Sequence, residues 1–192
     1  RSRTGIGYSS PEAGMFPLKL VSATVMAMAL HGSAIAQPIS EETPPTTCGN
    51  RLVAGITCTG RYCDNIEAIC GPGRRELYDI RWSKFVSEEG DAVAQCNVPN
   101  PFERGDWPAG EPAFISGFSC KGKYCDNIAL ECVALKDAFP ATLGGPSCQW
   151  TSWVSEETAT LRFPPGFGAI SMACRGNYCD DKRFLICPIT PR

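Results

Sequence analysis

The chain has 192 residues, among them 12 Cys, 19 Gly, 16 Pro and one His, with 43% hydrophobic residues and a formal charge of −2. That length allows one domain or two small ones, and the composition excludes a disordered tail and a nucleic-acid binder. All 12 Cys lie between Cys48 and Cys187, an even number at a density that belongs to an oxidising compartment.

Residues 1–14, ahead of Met15, read as an upstream extension. Residues 15–36 read as a signal peptide. Lys19 gives a basic start, Leu20 to Leu30 is an uncharged apolar run, and Ala34-Ile35-Ala36 is a small-x-small cleavage pattern before Gln37. The run falls short of the ~20 apolar residues that a membrane span needs. The expectation is a secreted chain, extracellular or periplasmic, with no membrane span once mature. Removing 36 of the 192 residues leaves 156, with 15 basic and 19 acidic residues and every Cys. His31 leaves with the signal peptide, and with it any Ser-His-Asp triad, Cys-His pair or His-ligated zinc.

Residues 37–47 read as a short linker and 48–192 as a single domain. Within it, Leu52 to Thr57, Ala113 to Phe118 and Ala169 to Ala173 are short, β-prone and bounded by Gly or Pro, as strands are. Pro99 to Pro112, with four Pro and two Gly, is a loop insertion.

One segment recurs three times. Residues 56–70 read ITCTGRYCDNIEAIC, residues 118–132 FSCKGKYCDNIALEC, and residues 172–187 MACRGNYCDDKRFLIC. The shared core is C-x-G-x-Y-C-D-[ND], closed by a further Cys seven or eight residues on. A second element occurs twice, as Trp82-Ser-Lys-Phe-Val-Ser-Glu-Glu and Trp150-Thr-Ser-Trp-Val-Ser-Glu-Glu. The repeats run over about 48–70, 71–132 and 133–187. Each unit is too small to bury a core alone, so the copies must pack together.

Four Cys fall in each copy: Cys48, Cys58, Cys63 and Cys70; Cys96, Cys120, Cys125 and Cys132; Cys148, Cys174, Cys179 and Cys187. Six disulfides repeated with the unit are the simplest account, with pairing inside each copy as the expectation, although spacing leaves connectivity open. The fold class is all-β, disulfide-rich and pseudo-threefold, with a β-prism as first choice and a β-trefoil second.

The Trp-Ser/Thr strand, the Gly-rich turn and the acidic-Asn-aliphatic segment entering Cys resemble the vitelline membrane outer layer protein I family. The matching residues are Trp82-Ser83, Trp150-Thr151, and Asp126-Asn127-Ile128 through Cys132 with their counterparts. That resemblance implies a secreted β-prism of three homologous sheets, an architecture that often carries lectin activity. The first copy lacks the Trp-Ser strand, and each Tyr-Cys pair adds a cysteine.

Asp64-Asn65, Asp126-Asn127 and Asp180-Asp181 recur at one place in every copy. They could bind a sugar or Ca²⁺, or serve only local backbone at a turn, which explains the repetition equally well. Tyr62, Tyr124 and Tyr178 sit beside them, where a ring could stack on a sugar face or on the adjacent disulfide. Trp82, Trp150 and Trp153 are expected to fill the core, while Trp107 in the insertion is the exposed one. The Ser-Glu-Glu turns (Glu88, Glu89, Glu156, Glu157) could supply paired carboxylates for glycoside hydrolysis, but adjacent residues on a turn are expected to diverge into solvent. The reading is a non-enzymatic module that binds a glycan or cell-wall polysaccharide at repeated sites, without cofactor. A structural, envelope-associated protein is the alternative, and a carbohydrate-active enzyme is third.

Overall fold

The computed structural model describes residues 39, 44–87, 93–96, 113–140, 147–155 and 160–191. All of these fall in the unit His31–Arg192. Residues 1–36, expected as an upstream extension and a signal peptide, lie outside the described residues, as do Glu88, Glu89, Glu156, Glu157 and the insertion with Trp107.

The described chain is all-β. The first copy supplies β1 (Thr46–Thr47), β2 (Val53–Thr59) and β3 (Asn65–Cys70). The second supplies β4 (Leu77–Trp82), β5 (Val93–Gln95), β6 (Phe114–Lys121) and β7 (Asn127–Leu135). The third supplies β8 (Ala138–Pro140), β9 (Gln149–Trp150), β10 (Thr160–Arg162), β11 (Phe167–Arg175) and β12 (Asp181–Pro191). The antiparallel hairpins β2–β3, β6–β7 and β11–β12 each centre one open sheet, and each turns through its own copy of the repeated motif.

The sheets are stitched together by exchange. Strand β1 of the first copy pairs with β6 of the second, β5 of the second with β11 of the third, and β10 of the third with β2 of the first. The exchange closes on itself, so no copy completes its sheet alone. Segment 37–47, expected as a linker, takes part: Ile39 is buried and pairs with Ile66, and Thr46–Thr47 is the exchanged strand. Ile39-Ser40-Glu41-Glu42 is thus the first copy's counterpart of Val86-Ser87-Glu88-Glu89 and Val154-Ser155-Glu156-Glu157, since Val86 pairs with Ile128 and Val154 with Lys182 in the same way.

Register gives the residue equivalences. Every hairpin carries a bulge at the same place, between Val53 and Gly55, Ile115 and Gly117, and Ala169 and Ser171. The carbonyls of the bulged Ala54, Ser116 and Ile170 point away from the hairpin's own pairing and accept from the incoming Phe163, Cys48 and Cys96. One residue further on, a Cβ on Gly55 would lie 2.2 Å from the Leu161 carbonyl, and one on Gly117 would lie 2.6 Å from that of Thr46. Ser171 stands at the third position, and its hydroxyl donates instead to the Ala94 carbonyl at 2.7 Å.

Disulfides join Cys48 to Cys70, Cys58 to Cys63, Cys96 to Cys132, Cys120 to Cys125, Cys148 to Cys187 and Cys174 to Cys179, and no cysteine is free. Cys48–Cys70 and Cys96–Cys132 each tie an exchanged strand back to its own hairpin, and so bind two sheets together. By register the third such pair is Phe163 with Ile186, both buried in the shared core. Cys187 lies one residue beyond Ile186, so Cys148–Cys187 is a different staple. The sixfold count is regular while the placement is not.

Equivalent positions fill the core with complementary sizes: Ile56, Phe118 and Met172; Ala68, Leu130 and Phe184; Ile66, Ile128 and Lys182. The small Ala68 faces a set whose other members are large, as dense packing requires. The tryptophans do not fill this core. Trp150 is 38% exposed, while Trp82 and Trp153 are half-buried on the outer faces. Strand alternation turns the residue after each Trp inward instead. Ser83 and Thr151 accept from the amides of Leu130 and Phe184 at 2.9 and 3.0 Å, and donate to Lys84 and Ser152 carbonyls. Trp150 and Trp153 carry Arg183 over their rings at 4.6 and 4.5 Å.

Candidate functional site

The repeated C-x-G-x-Y-C-D motif is a loop whose every fixed residue has a backbone reason. Gly60, Gly122 and Gly176 hold φ of 77, 78 and 78° with ψ near 180°, a region open essentially to Gly. A Cβ there would lie 1.9, 2.1 and 2.0 Å from Oδ1 of Asp64, Asp126 and Asp180, so the glycine lets the carboxylate lie against the backbone. The Tyr-Cys pair that follows is left-handed at both residues: Tyr62 and Cys63 at 63 and 54°, Tyr124 and Cys125 at 59 and 55°, Tyr178 and Cys179 at 59 and 55°. Non-Gly residues reach this region at a cost of about 1–2 kcal/mol each. The short disulfides Cys58–Cys63, Cys120–Cys125 and Cys174–Cys179 close the three loops around it.

The acid and amide residues hold these loops. Asn65 Nδ2 donates to Asp64 Oδ1 at 2.9 Å, and Asn127 Nδ2 to Asp126 Oδ1 at 2.6 Å. In the third copy the Asp181 amide donates to Asp180 Oδ1 at 2.8 Å, and Arg175 Nε donates to Asp181 Oδ2 at 2.8 Å. Among the described residues no group of three or more His, Cys, Asp or Glu side chains could hold a metal ion. The bonds of Asp64, Asp126 and Asp180 are local to each loop, between side chains in the first two copies and with a backbone amide in the third.

The three loops converge. Ring centroids of Tyr62 and Tyr124 are 5.3 Å apart, of Tyr62 and Tyr178 5.2 Å, and of Tyr124 and Tyr178 5.0 Å. The tilted and edge-on contacts are those that aromatic quadrupoles favour. The three tyrosines, expected at repeated sites, thus form one composite cluster of half-buried rings. Each ring packs on two others, because the cyclic exchange brings all three hairpin tips to one end.

Lys182 is fully buried at the position where the other copies carry Ile66 and Ile128. Its ammonium donates to the Cys179 carbonyl and, at 3.4 Å, to that of Cys63. Burial pulls this lysine down to about 7, opposed by the nearby charges of Asp180, Asp181 and Asp64. A left-handed Cys frees its carbonyl from the sheet ladder, and in two of the three copies Lys182 supplies a donor.

The exposed rim of the same end is cationic. The residues flanking each motif glycine are Thr59 and Arg61, Lys121 and Lys123, and Arg175 and Asn177. Arg61 lies 5.1 Å over Tyr62, Lys123 4.9 Å over Tyr124, Lys121 4.1 Å over Phe85, and Arg175 4.1 Å over Trp153. Phe85 is itself 40% exposed. Elsewhere, a shallow depression lined by Cys48, Asn50, Arg51, Gly73 and Arg74 offers neither an acid nor an aromatic side chain. The buried carboxyl of Glu131 accepts from Ser116 Oγ, and burial raises it above the usual carboxylate range.

Lys182 and the rim cations were not singled out by sequence reasoning. A signal existed for both: the third copy alone reads C-D-D-K where the others read C-D-N-I, and four of the six residues flanking the motif glycines are basic. No protein-family model, curated protein or solved structure matches the chain.

Proposed function

We propose that the protein is a secreted, non-enzymatic glycan-binding module on a β-prism-like scaffold of the vitelline membrane outer layer kind, whose contact surface is the end where the three Tyr-Cys loops meet. The observation that carries this reading is the concentration of backbone cost there: among the described residues, the six non-Gly residues in left-handed conformation all lie in loops that converge at one end. Backbone strain of this kind collects at ligand-binding surfaces. Aromatic rings beside amides, carboxylates and cations suit a sugar, whose C–H faces stack and whose hydroxyls need hydrogen bonds. Six disulfides, and no helix among the described residues long and apolar enough to cross a membrane, fit an extracellular setting.

A second reading, a structural envelope-associated protein, draws on the Tyr rings packing against one another and on Lys182 beneath the same loops. Glycan arrays and cell-wall pull-downs with the oxidised protein separate the two. Binding that weakens in Phe85→Ala with unchanged melting temperature supports the module. Absence of binding to every glycan, neutral or charged, overturns it in favour of the structural body.

A further inference from the structure

Resting on that glycan reading, we infer that the ligand is an acidic polysaccharide bearing uronate carboxylates, read by a ring of cations fixed in advance around the tyrosine cluster. The chain as a whole is acidic, with 20 acidic against 18 basic residues. Its loop end nevertheless presents Arg61, Lys121, Lys123 and Arg175 outward, all exposed, one or two from each copy. Among the described residues, the motif acids of this end point inward to the loops: Asp64, Asp126 and Asp180 are half-buried, and Oδ1 of each accepts a hydrogen bond within its own loop. Asp181 is bonded to Arg175. Arg61, Lys121 and Lys123 enter no ion pair among the described residues.

Each of the four cations lies over an aromatic ring, at 4.1 to 5.1 Å. A free lysine or arginine must surrender rotamer freedom to meet a ligand, and one already laid along a ring has surrendered much of it. The rim is therefore preorganised for anions at several points, as a polymer with a charge on each sugar presents them. Phe85, 40% exposed, adds apolar surface of the kind that a pyranose face needs and that a bare phosphate does not use. That combination of spaced charge and exposed ring selects an acidic polysaccharide over a simple anion. Asn177 takes the position of Arg61 and Lys123 in the third copy, so the cationic ring is open on that side.

The test is binding of the oxidised protein to immobilised polygalacturonate, to dextran as a neutral polymer, to anionic phospholipid vesicles and to polyphosphate. The expected result is binding to polygalacturonate above all three others, weakened about tenfold in Arg61→Gln/Lys123→Gln. It also weakens with added salt as screening shortens the reach of the cations. The double Arg61→Lys/Lys123→Arg variant keeps binding, which separates charge from shape. Equal binding to dextran, or an unchanged affinity in the Gln pair, overturns the acidic-ligand inference and leaves the glycan reading standing. Equal binding to vesicles or polyphosphate overturns it in favour of general polyanion attraction. No binding to polygalacturonate, to dextran or to any arrayed glycan overturns both together.

Discussion

The Lys182 ammonium lies 3.4 Å from the carbonyl oxygen of Cys63, a residue 119 positions earlier in the chain, and donates to it from a fully buried position. The contact spans the first and third copies, and it exists because one isoleucine position of the repeat has become a lysine. Burying an ammonium is costly unless its donors are used, and here two backbone carbonyls use them.

Lys182→Met removes those donors and leaves the Cys63 and Cys179 carbonyls without them, at a cost of about 1–3 kcal/mol at pH 9. Because the folded-state value is about 7 against 10.5 for a free lysine, the unfolded chain holds the extra proton between those limits. Wild-type stability from this residue therefore rises with pH from about 7 to 10.5, and its charge penalty is full below about 7. Melting curves of the two proteins should converge as pH falls to 6 and diverge toward pH 10. A parallel offset across that range would refute the assignment.

Gly122→Ala places a methyl group 2.1 Å from Asp126 Oδ1 at φ 78°, and should cost about 2–3 kcal/mol. Gly166 has a similar φ of 82° with open space around it, so Gly166→Ala should cost only the left-handed penalty of about 1 kcal/mol. Denaturant midpoints for the pair test whether the motif glycine is fixed by the carboxylate as well as by its dihedral. Equal losses would show that the carboxylate contact is unimportant.

The register makes Phe163 and Ile186 the counterparts of Cys48–Cys70 and Cys96–Cys132, whose Cα atoms are 5.4 and 5.3 Å apart. The double substitution Phe163→Cys/Ile186→Cys should form a seventh disulfide. Its stabilisation of about 2–4 kcal/mol offsets the loss of the buried ring. Thiol titration under denaturing conditions reads the result directly, since two free thiols in the double variant would contradict the equivalence.

Tyr124 meets two other rings, so Tyr124→Ala should lose about 2–4 kcal/mol, from two aromatic pairs and the burial that goes with them. Tyr124→Phe keeps the rings and should lose about 1 kcal/mol or less. Thermal melts with near-ultraviolet circular dichroism check both. An Ala variant as stable as wild type would show that the cluster holds nothing together.

Much of the architecture is legible in the chain. The triple C-x-G-x-Y-C-D repeat announces three equivalent loops, short β-prone runs announce hairpins, and the Cys count announces six disulfides. These are local properties, written by residue type and spacing. Trp82 and Trp150 mislead because aromatic residues at strand ends suit a core or an outer face equally, and only strand alternation relative to Ser83 and Thr151 decides between them. Ile39-Ser40-Glu41-Glu42 passes for linker because it lacks the tryptophan that marks the other two copies.

By itself, the sequence determined that the chain is a triplicated, disulfide-rich β protein, because duplication leaves matching residues and the loop backbone demands Gly, Tyr-Cys and Asp at fixed offsets. Only the tertiary structure decided that the three tyrosines form one cluster, that Lys182 lies buried beneath those loops, and that Phe163 and Ile186 stand where a disulfide would. Those facts depend on a cyclic exchange of β1, β5 and β10 between copies, which joins residues from 70 to 107 positions apart. Long-range pairing of that kind leaves no periodic trace in the sequence.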